Sequence, residues 1–214
     1  MSQADSTVVA VFDLDRTLTT RDTLMPFLVS LRPGLGAVTA IRELIRPVIG
    51  RRRDEMKSVV SDAVFRGRLE AEVVQAGGDH AARIEQKWLR PDTMARLDWH
   101  RQEGHRIVIV SASYELYVAP LAERLGIDAG LGTRLEVSES RYTGRLDGPN
   151  CRGAYKPVRL LRWLDNAGLD RQAVTIWAYG DSGGDIELLG EADHAIWVAH
   201  RVGSLSRVPG GSQR

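Results

Sequence analysis

Apolar and polar positions along the chain alternate between two kinds of pattern. Near-continuous apolar runs, rich in β-branched residues, occur at Val8–Phe12, Arg106–Ser113, Val174–Tyr179 and Ala195–Val198. Runs of this kind read as strands covered on both faces. Elsewhere apolar residues recur at helical spacing. Asp22 is expected to cap a helix through Ser30, which Pro33-Gly34 breaks. Leu35 to Ile49 is helical, with Pro47 disturbing its end. Asp54 then caps Glu55 to Phe65, whose Met56, Val59, Val60, Ala63 and Val64 share a face. A further helical region, Leu69 to Trp88, is expected to be interrupted at Gly77-Gly78. Pro91 opens another helix and Gly104 closes it. Later helices span Tyr114 to Leu125 and Pro157 to Ala167, each stopped by a glycine. Between them, Thr133–Val137 and Tyr142–Leu146 form a hairpin around Ser138-Glu139-Ser140.

Strands alternating with helices predict a doubly wound α/β core with a mostly parallel sheet. Residues 1–20 and 91–202 would form this core. The all-helical stretch 21–90 would be an inserted cap lying over the strand ends, and 203–214 a frayed tail.

Composition narrows the setting. The 214 residues suffice for one well-buried domain with an insertion. A formal net charge of +1 argues against a nucleic-acid partner. The single cysteine, Cys151, excludes an internal disulfide framework and fits a reducing compartment. The first residues show no basic or apolar leader, and no apolar stretch reaches the ~18 residues of a membrane span. These features together predict a cytoplasmic protein.

The chemistry concentrates at strand ends and helix starts. The first strand runs into Asp13-Leu14-Asp15-Arg16-Thr17-Leu18-Thr19, the second ends in the hydroxyls of Ser111 and Ser113, and the third enters Gly180-Asp181-Ser182-Gly183-Gly184-Asp185. Lys156 stands just ahead of Pro157 at a helix start. In an open parallel sheet these ends converge on the crevice where ligands bind. Several carboxylates around one point call for a counter-cation, and hard oxygen donors favour Mg²⁺. A lysine and a hydroxyl beside them supply what a phosphoryl group needs.

In these motifs, taken in order, the sequence resembles the haloacid dehalogenase superfamily of phosphohydrolases. The helical insertion after the first motif resembles subfamily IB, the phosphoserine-phosphatase-like branch. The resemblance implies that Asp13 attacks phosphorus to form an aspartyl phosphate, and that Asp15 protonates the leaving oxygen and then deprotonates water. Ser111 would hydrogen-bond the transferring group, and Lys156 would pair with that group and with Asp13. Mg²⁺ would be held by Asp13, Asp181 and the backbone carbonyl of Asp15, with Asp185 supporting that shell. The implied activity is hydrolysis of a small phosphorylated metabolite such as a phosphoserine-like compound.

The sequence departs from the family pattern in places. Arg16 follows Asp15 where a small residue is common, and either contacts substrate phosphate or faces solvent. Gly184 stands before Asp185 where phosphoserine phosphatases carry asparagine. Asp22 falls near the place of a substrate-binding glutamate, or serves only as a helix cap. The cap carries Arg32, Arg42, Arg46, Arg51, Arg52 and Arg53 against Glu43 alone from 32 to 53. This basic, partly apolar cap suits either a solvated lid or peripheral contact with anionic lipid, including a phosphatidylglycerophosphate-like substrate or a non-catalytic lipid-binding role. Ser113 is expected to be a helix cap, Cys151 a packed or loop thiol, and His194 and His200 structural or exposed. The tryptophans, Trp197 included, are assigned to core packing.

Overall fold

The computed structural model of the protein describes residues 7–31, 53–203 and 205. Strand β1 (Thr7–Phe12) lies at the centre of a five-stranded sheet. It pairs in parallel with β2 (Arg106–Tyr114) on one side and β6 (Val174–Gly180) on the other. β3 (Ala129–Thr133) and β7 (His194–Trp197) complete the parallel order β3-β2-β1-β6-β7.

Strand periodicity explains the unbroken apolar runs. Ala10, Phe12, Ile107, Ile109 and Tyr179 face one buried layer, whereas Val9, Val11, Val108, Val110, Ile176 and Ala178 face the other. The second layer is closed by Leu160 and Leu164 of α6 (Tyr155–Asn166) and Leu188 of α7 (Ile186–Glu191). The first is covered by α4 (Pro91–Gln102), α5 (Glu115–Arg124) and the helices α1 (Leu24–Ser30), α2 (Arg53–Phe65) and α3 (Glu70–Lys87). With both faces covered, no polar alternation is needed.

Several local readings change. The segment from Glu70 to Lys87 is one continuous helix, not interrupted at Gly77-Gly78. Gly77 is required by packing: a Cβ there would stand 2.2 Å from the carbonyl oxygen of Leu116 on α5. α2 begins at Arg53, so Asp54 lies in its first turn rather than ahead of it. β3 escapes the sequence pattern for a related reason. Cβ atoms on Gly130 and Gly132 would come within 2.4 Å and 2.5 Å of the α5 backbone, so the close approach of helix to strand leaves no room for apolar side chains. Thr133 therefore ends β3, and the hairpin is made by β4 (Leu135–Ser138) and β5 (Arg141–Leu146). Trp197 is 54% exposed rather than packed in the core. Trp177 is half-buried, its ring 4.2 Å from that of His194.

The predicted Leu35–Ile49 helix, the arginines from Arg32 to Arg52, the side chain of Arg53 and the tail from 206 onward lie outside the described residues. Among the described residues, no helix is long and apolar enough to cross a membrane.

Candidate active site

β1 stops where its ladder meets the first carboxylate. The N–H of Asp13 still donates to the carbonyl of Tyr179 at 2.9 Å, extending the β1–β6 pairing one residue past Phe12. The chain then makes a tight turn over Leu14–Leu18, closed by the Thr19 N–H on the Leu14 carbonyl at 3.0 Å. Arg16 takes a left-handed conformation at φ 63°, a region that favours glycine. The turn is held from outside by the buried Arg90, whose guanidinium donates to the Arg16 carbonyl at 2.7 Å. β1 lies between β2 and β6, which the chain reaches in opposite directions, so Asp13 and Asp15 stand at the switch point of the sheet.

Lys156, at the start of α6, reaches back under this turn. Its buried ammonium donates to Oδ1 of Asp13 and, at 2.5 Å, to Oδ1 of Asp185. The second oxygen of Asp185 accepts from the N–H and the hydroxyl of Ser182, at 3.0 Å and 2.8 Å. Gly180 makes the approach possible, since a Cβ there would lie 2.6 Å from that of Asp185. Carboxylate oxygens of Asp13, Asp181 and Asp185 all fall within 4.8 Å of one another.

The electrostatics of this cluster are those of crowded, buried carboxylates. Burial, joined by the charges of Asp185 and Asp15, pushes Asp13 up to about 7 against the pull of Lys156. Asp181 is raised by burial and then by Asp185. For Asp185 burial works upward too, but the Lys156 charge and the Ser182 hydrogen bonds outweigh it and hold the group below its ordinary value. Lys156 is itself held above its ordinary value, because its two carboxylate partners overcome the cost of burial. The Lys156 ammonium thus pairs with two of three crowded acids, while the charges of His200 and Arg16 act on the third, Asp181. The donors are hard oxygens at mutual distances a small cation can bridge, so the residues fit Mg²⁺.

Asp15 belongs to a separate environment. Its Oδ1 accepts from the N–H and the hydroxyl of Thr23, both at 2.6 Å, and its Oδ2 accepts from the hydroxyl of Ser113 at 2.6 Å. Its carboxylate therefore stands apart from the cluster of Asp13, Asp181 and Asp185, which leaves only its backbone for the metal role expected of it. Burial and then the charge of Asp22 raise Asp15, opposed by the Ser113 and Thr23 hydrogen bonds. Ser113 is thus not the expected helix cap: α5 has no side-chain cap, and the Ser113 hydroxyl is committed to Asp15. The neighbouring Ser111 is buried and accepts from the Ser113 N–H at 3.1 Å, so its own hydroxyl proton remains available.

All the sequence-derived candidates line one cleft of about 500 Å³: Asp13, Asp15, Arg16, Asp22, Ser111, Lys156, Asp181 and Asp185. Arg16 is exposed at its rim. Asp22 caps α1 as expected, accepting from the N–H groups of Leu24 and Met25 at 3.0 Å and 3.3 Å. The facing wall comes from α1 and α2, through Leu24, Met25, Leu28, Met56, Lys57 and Val60.

Lys57 escaped the sequence reading. It is 7% exposed, donates to the Ala112 carbonyl at 2.9 Å and lies 3.7 Å from the centre of the Tyr114 ring. Burial pushes it down to about 7, against the charges of Asp15 and Asp22. The available signal was its spacing, since position 57 shares a helical face with Val60 and Val64. Cys151 is fully buried and burial pushes its thiol up to about 11, so it is no nucleophile. His200 is exposed, with Nδ1 3.6 Å from Oδ2 of Asp181.

Comparison with known proteins agrees with this geometry. The family model for haloacid dehalogenase-like hydrolases matches residues 10–190. Protein CicA of Caulobacter vibrioides is 36% identical over 190 residues, covering 87% of this chain and 83% of that protein. Phosphoserine phosphatase SerB1 of Mycobacterium tuberculosis is 30% identical over 151 residues, covering 69% of this chain and 48% of that one. A phosphoserine phosphatase solved as an analogue of its phospho-aspartyl intermediate superposes with a TM-score of 0.61 at 17% identity, over 88% of this chain and 84% of that one. With its parallel sheet, its acids at the switch point and a family match across the core, the chain belongs to the haloacid dehalogenase-like hydrolases.

Proposed function

We propose that the protein is a Mg²⁺-dependent phosphomonoester hydrolase of the cytoplasm, acting through an aspartyl phosphate on a small phosphorylated metabolite. The observation that carries this reading is the division of labour between two neighbouring carboxylates. Asp13 is gripped through Oδ1 by Lys156, whereas Asp15 is held apart by Ser113 and Thr23.

In the first half-reaction an Asp13 oxygen attacks phosphorus as the ester P–O bond breaks. Protonated Asp15 gives its proton to the departing alcohol oxygen. In the second, Asp15 takes a proton from water, whose oxygen attacks the aspartyl phosphate and releases phosphate with Asp13 regenerated. Lys156 and the Ser111 hydroxyl stabilise charge on the transferring oxygens. Mg²⁺, held by Asp13, Asp181 and the Asp15 backbone with Asp185 in support, would neutralise the phosphoryl and carboxylate charges that otherwise repel. Residues 21–90 would act as the cap that covers this chemistry.

The apolar facing wall of Leu24, Met25, Leu28, Met56 and Val60 supports a second reading, the same chemistry on a lipid phosphate. Phosphate release with Mg²⁺ across soluble and lipid phosphomonoesters, with Asp13→Asn as the blank, tests both. Turnover absent from the blank and from chelated enzyme is expected, and the preferred half of the panel separates metabolite from lipid. Equal release by the blank would overturn the nucleophile.

A further inference from the structure

The fourth motif departs from the phosphoserine-phosphatase pattern at Gly184, and the structure gives that glycine a neighbour. A Cβ on Gly184 would stand 3.2 Å from Cζ, Nε and Nη2 of Arg152 alike. Equal distances to three guanidinium atoms mean that the planar group lies flat across the glycine. Any side chain at 184 would enter that space.

Arg152 is placed firmly. It sits in the connection from β5 to α6, with its N–H on the Asn150 carbonyl at 2.8 Å and its carbonyl accepting from Tyr155 at 3.1 Å. The next residue joins this connection to the 180s loop, Gly153 N–H donating to the Gly184 carbonyl at 3.1 Å. The side chain is half-buried and lines the cleft with Lys156 and Asp185.

Its donors, however, are unused among the described residues. Other arginines near the core are paired: Arg159 with Glu115, Arg171 with Glu191, Arg90 with Asp92. The Arg152 guanidinium makes no hydrogen bond or ion pair among the described residues, although it lines the same cleft as Asp13, Asp181 and Asp185. A guanidinium offers several N–H donors in a fixed fork that matches carboxylate and phosphate oxygens. Held in a cleft without a partner, it is set for an anion arriving from solution.

We infer that Arg152, seated on Gly184, is a specificity-determining residue that recognises a second anionic group on the leaving-alcohol side of the substrate. The inference rests on the phosphomonoesterase reading of the cleft. The transferring phosphoryl is already served by Lys156 and Ser111. The apolar wall from α1 and α2 offers an anion nothing but Lys57, whose amine is engaged with the Ala112 carbonyl. The ligand class is thus a phosphomonoester whose alcohol carries a carboxylate or a further phosphate.

The test compares matched pairs differing only in that group. Turnover is measured on phosphoglycolate against ethyl phosphate. Binding of 3-phosphonopropionate against propylphosphonate is measured calorimetrically on Mg²⁺-loaded protein, which needs no turnover. The preference of the natural chain for the charged partner should fall about tenfold or more in Arg152→Gln, and less in Arg152→Lys. Gly184→Asn should act in the same direction by filling the seat, with circular dichroism checking the fold of each variant. An unchanged preference, or equal losses on both partners, would overturn the inference, the latter assigning Arg152 to the transferring group or to folding. Absence of all turnover in the natural chain would instead count against the phosphatase reading, while the phosphonate pair would still decide on Arg152.

Discussion

The hydroxyl of Ser113 donates to Oδ2 of Asp15 at 2.6 Å, joining the end of β2 to the turn after β1. This bond favours the ionised carboxylate, against burial and the Asp22 charge that disfavour it. Removing it in Ser113→Ala should raise the Asp15 pKa further. The form able to accept a proton from water then develops at higher pH. The acidic limb of the kcat profile is expected to move upward in pH, so that kcat falls on that limb. A profile superimposable on that of the natural enzyme would show that Asp15 is not the proton-transfer group.

Lys156 bridges Asp13 and Asp185 while fully enclosed, so its removal leaves buried acids facing one another. Lys156→Ala should lower stability by about 3–5 kcal/mol in the metal-free protein. Saturating Mg²⁺ should recover part of that loss, because the cation supplies charge to the same carboxylates. Activity should fall by roughly 10²–10³ at least, the scale for losing one preorganised electrostatic donor. Urea unfolding with and without Mg²⁺ reads the first effect, and phosphate release the second.

These bridging residues were legible in the sequence because each sits where an apolar run ends or a helix begins. Asp13 and Asp181 lie directly beyond strand ends, and Lys156 precedes Pro157, so local pattern alone places them at the crevice. Lys57 was not legible in that way. Whether a lysine on a helix faces solvent or a cleft depends on how the helix packs, and position 57 points inward only because α2 lies against the end of β2. Ser113 shows the same limit: a hydroxyl before a helix reads as a cap until a distant carboxylate competes for it. β3 was hidden because Gly130 and Gly132 are chosen by the backbone of α5, a long-range demand that leaves no apolar signature.

Burial lowers Lys57 to about 7, which makes folding stability depend on alkaline pH. Between about pH 7 and 10 the unfolded chain keeps a proton on this amine that the folded chain has released, so stability rises with pH across that window. Lys57→Met should remove that part of the slope and raise stability at pH 7 by about 2 kcal/mol, since a buried charge is exchanged for an apolar chain. The Ala112 carbonyl keeps a partner in the Thr133 hydroxyl at 2.9 Å, so no orphaned acceptor offsets the gain. Thermal or urea unfolding from pH 6 to 10 checks it, and identical slopes would return Lys57 to the protonated state throughout.

Gly77 and Gly78 are adjacent in α3 yet should respond oppositely to the same substitution. A Cβ at Gly77 meets the Leu116 backbone carbonyl at 2.2 Å, and backbone on both sides cannot yield as a flexible side chain would. The helices must separate, so Gly77→Ala should destabilise by about 2–3 kcal/mol despite the better helix propensity of alanine. At Gly78 nothing lies within 4 Å of the added atom. There Gly78→Ala should stabilise by about 1 kcal/mol through propensity alone. Neither residue lines the cleft, so kcat of the folded fraction should be alike in both. Urea midpoints moving apart in this sense establish the α3–α5 contact as the reason the helix keeps its glycine; midpoints moving together would mean that the two helices do not approach so closely.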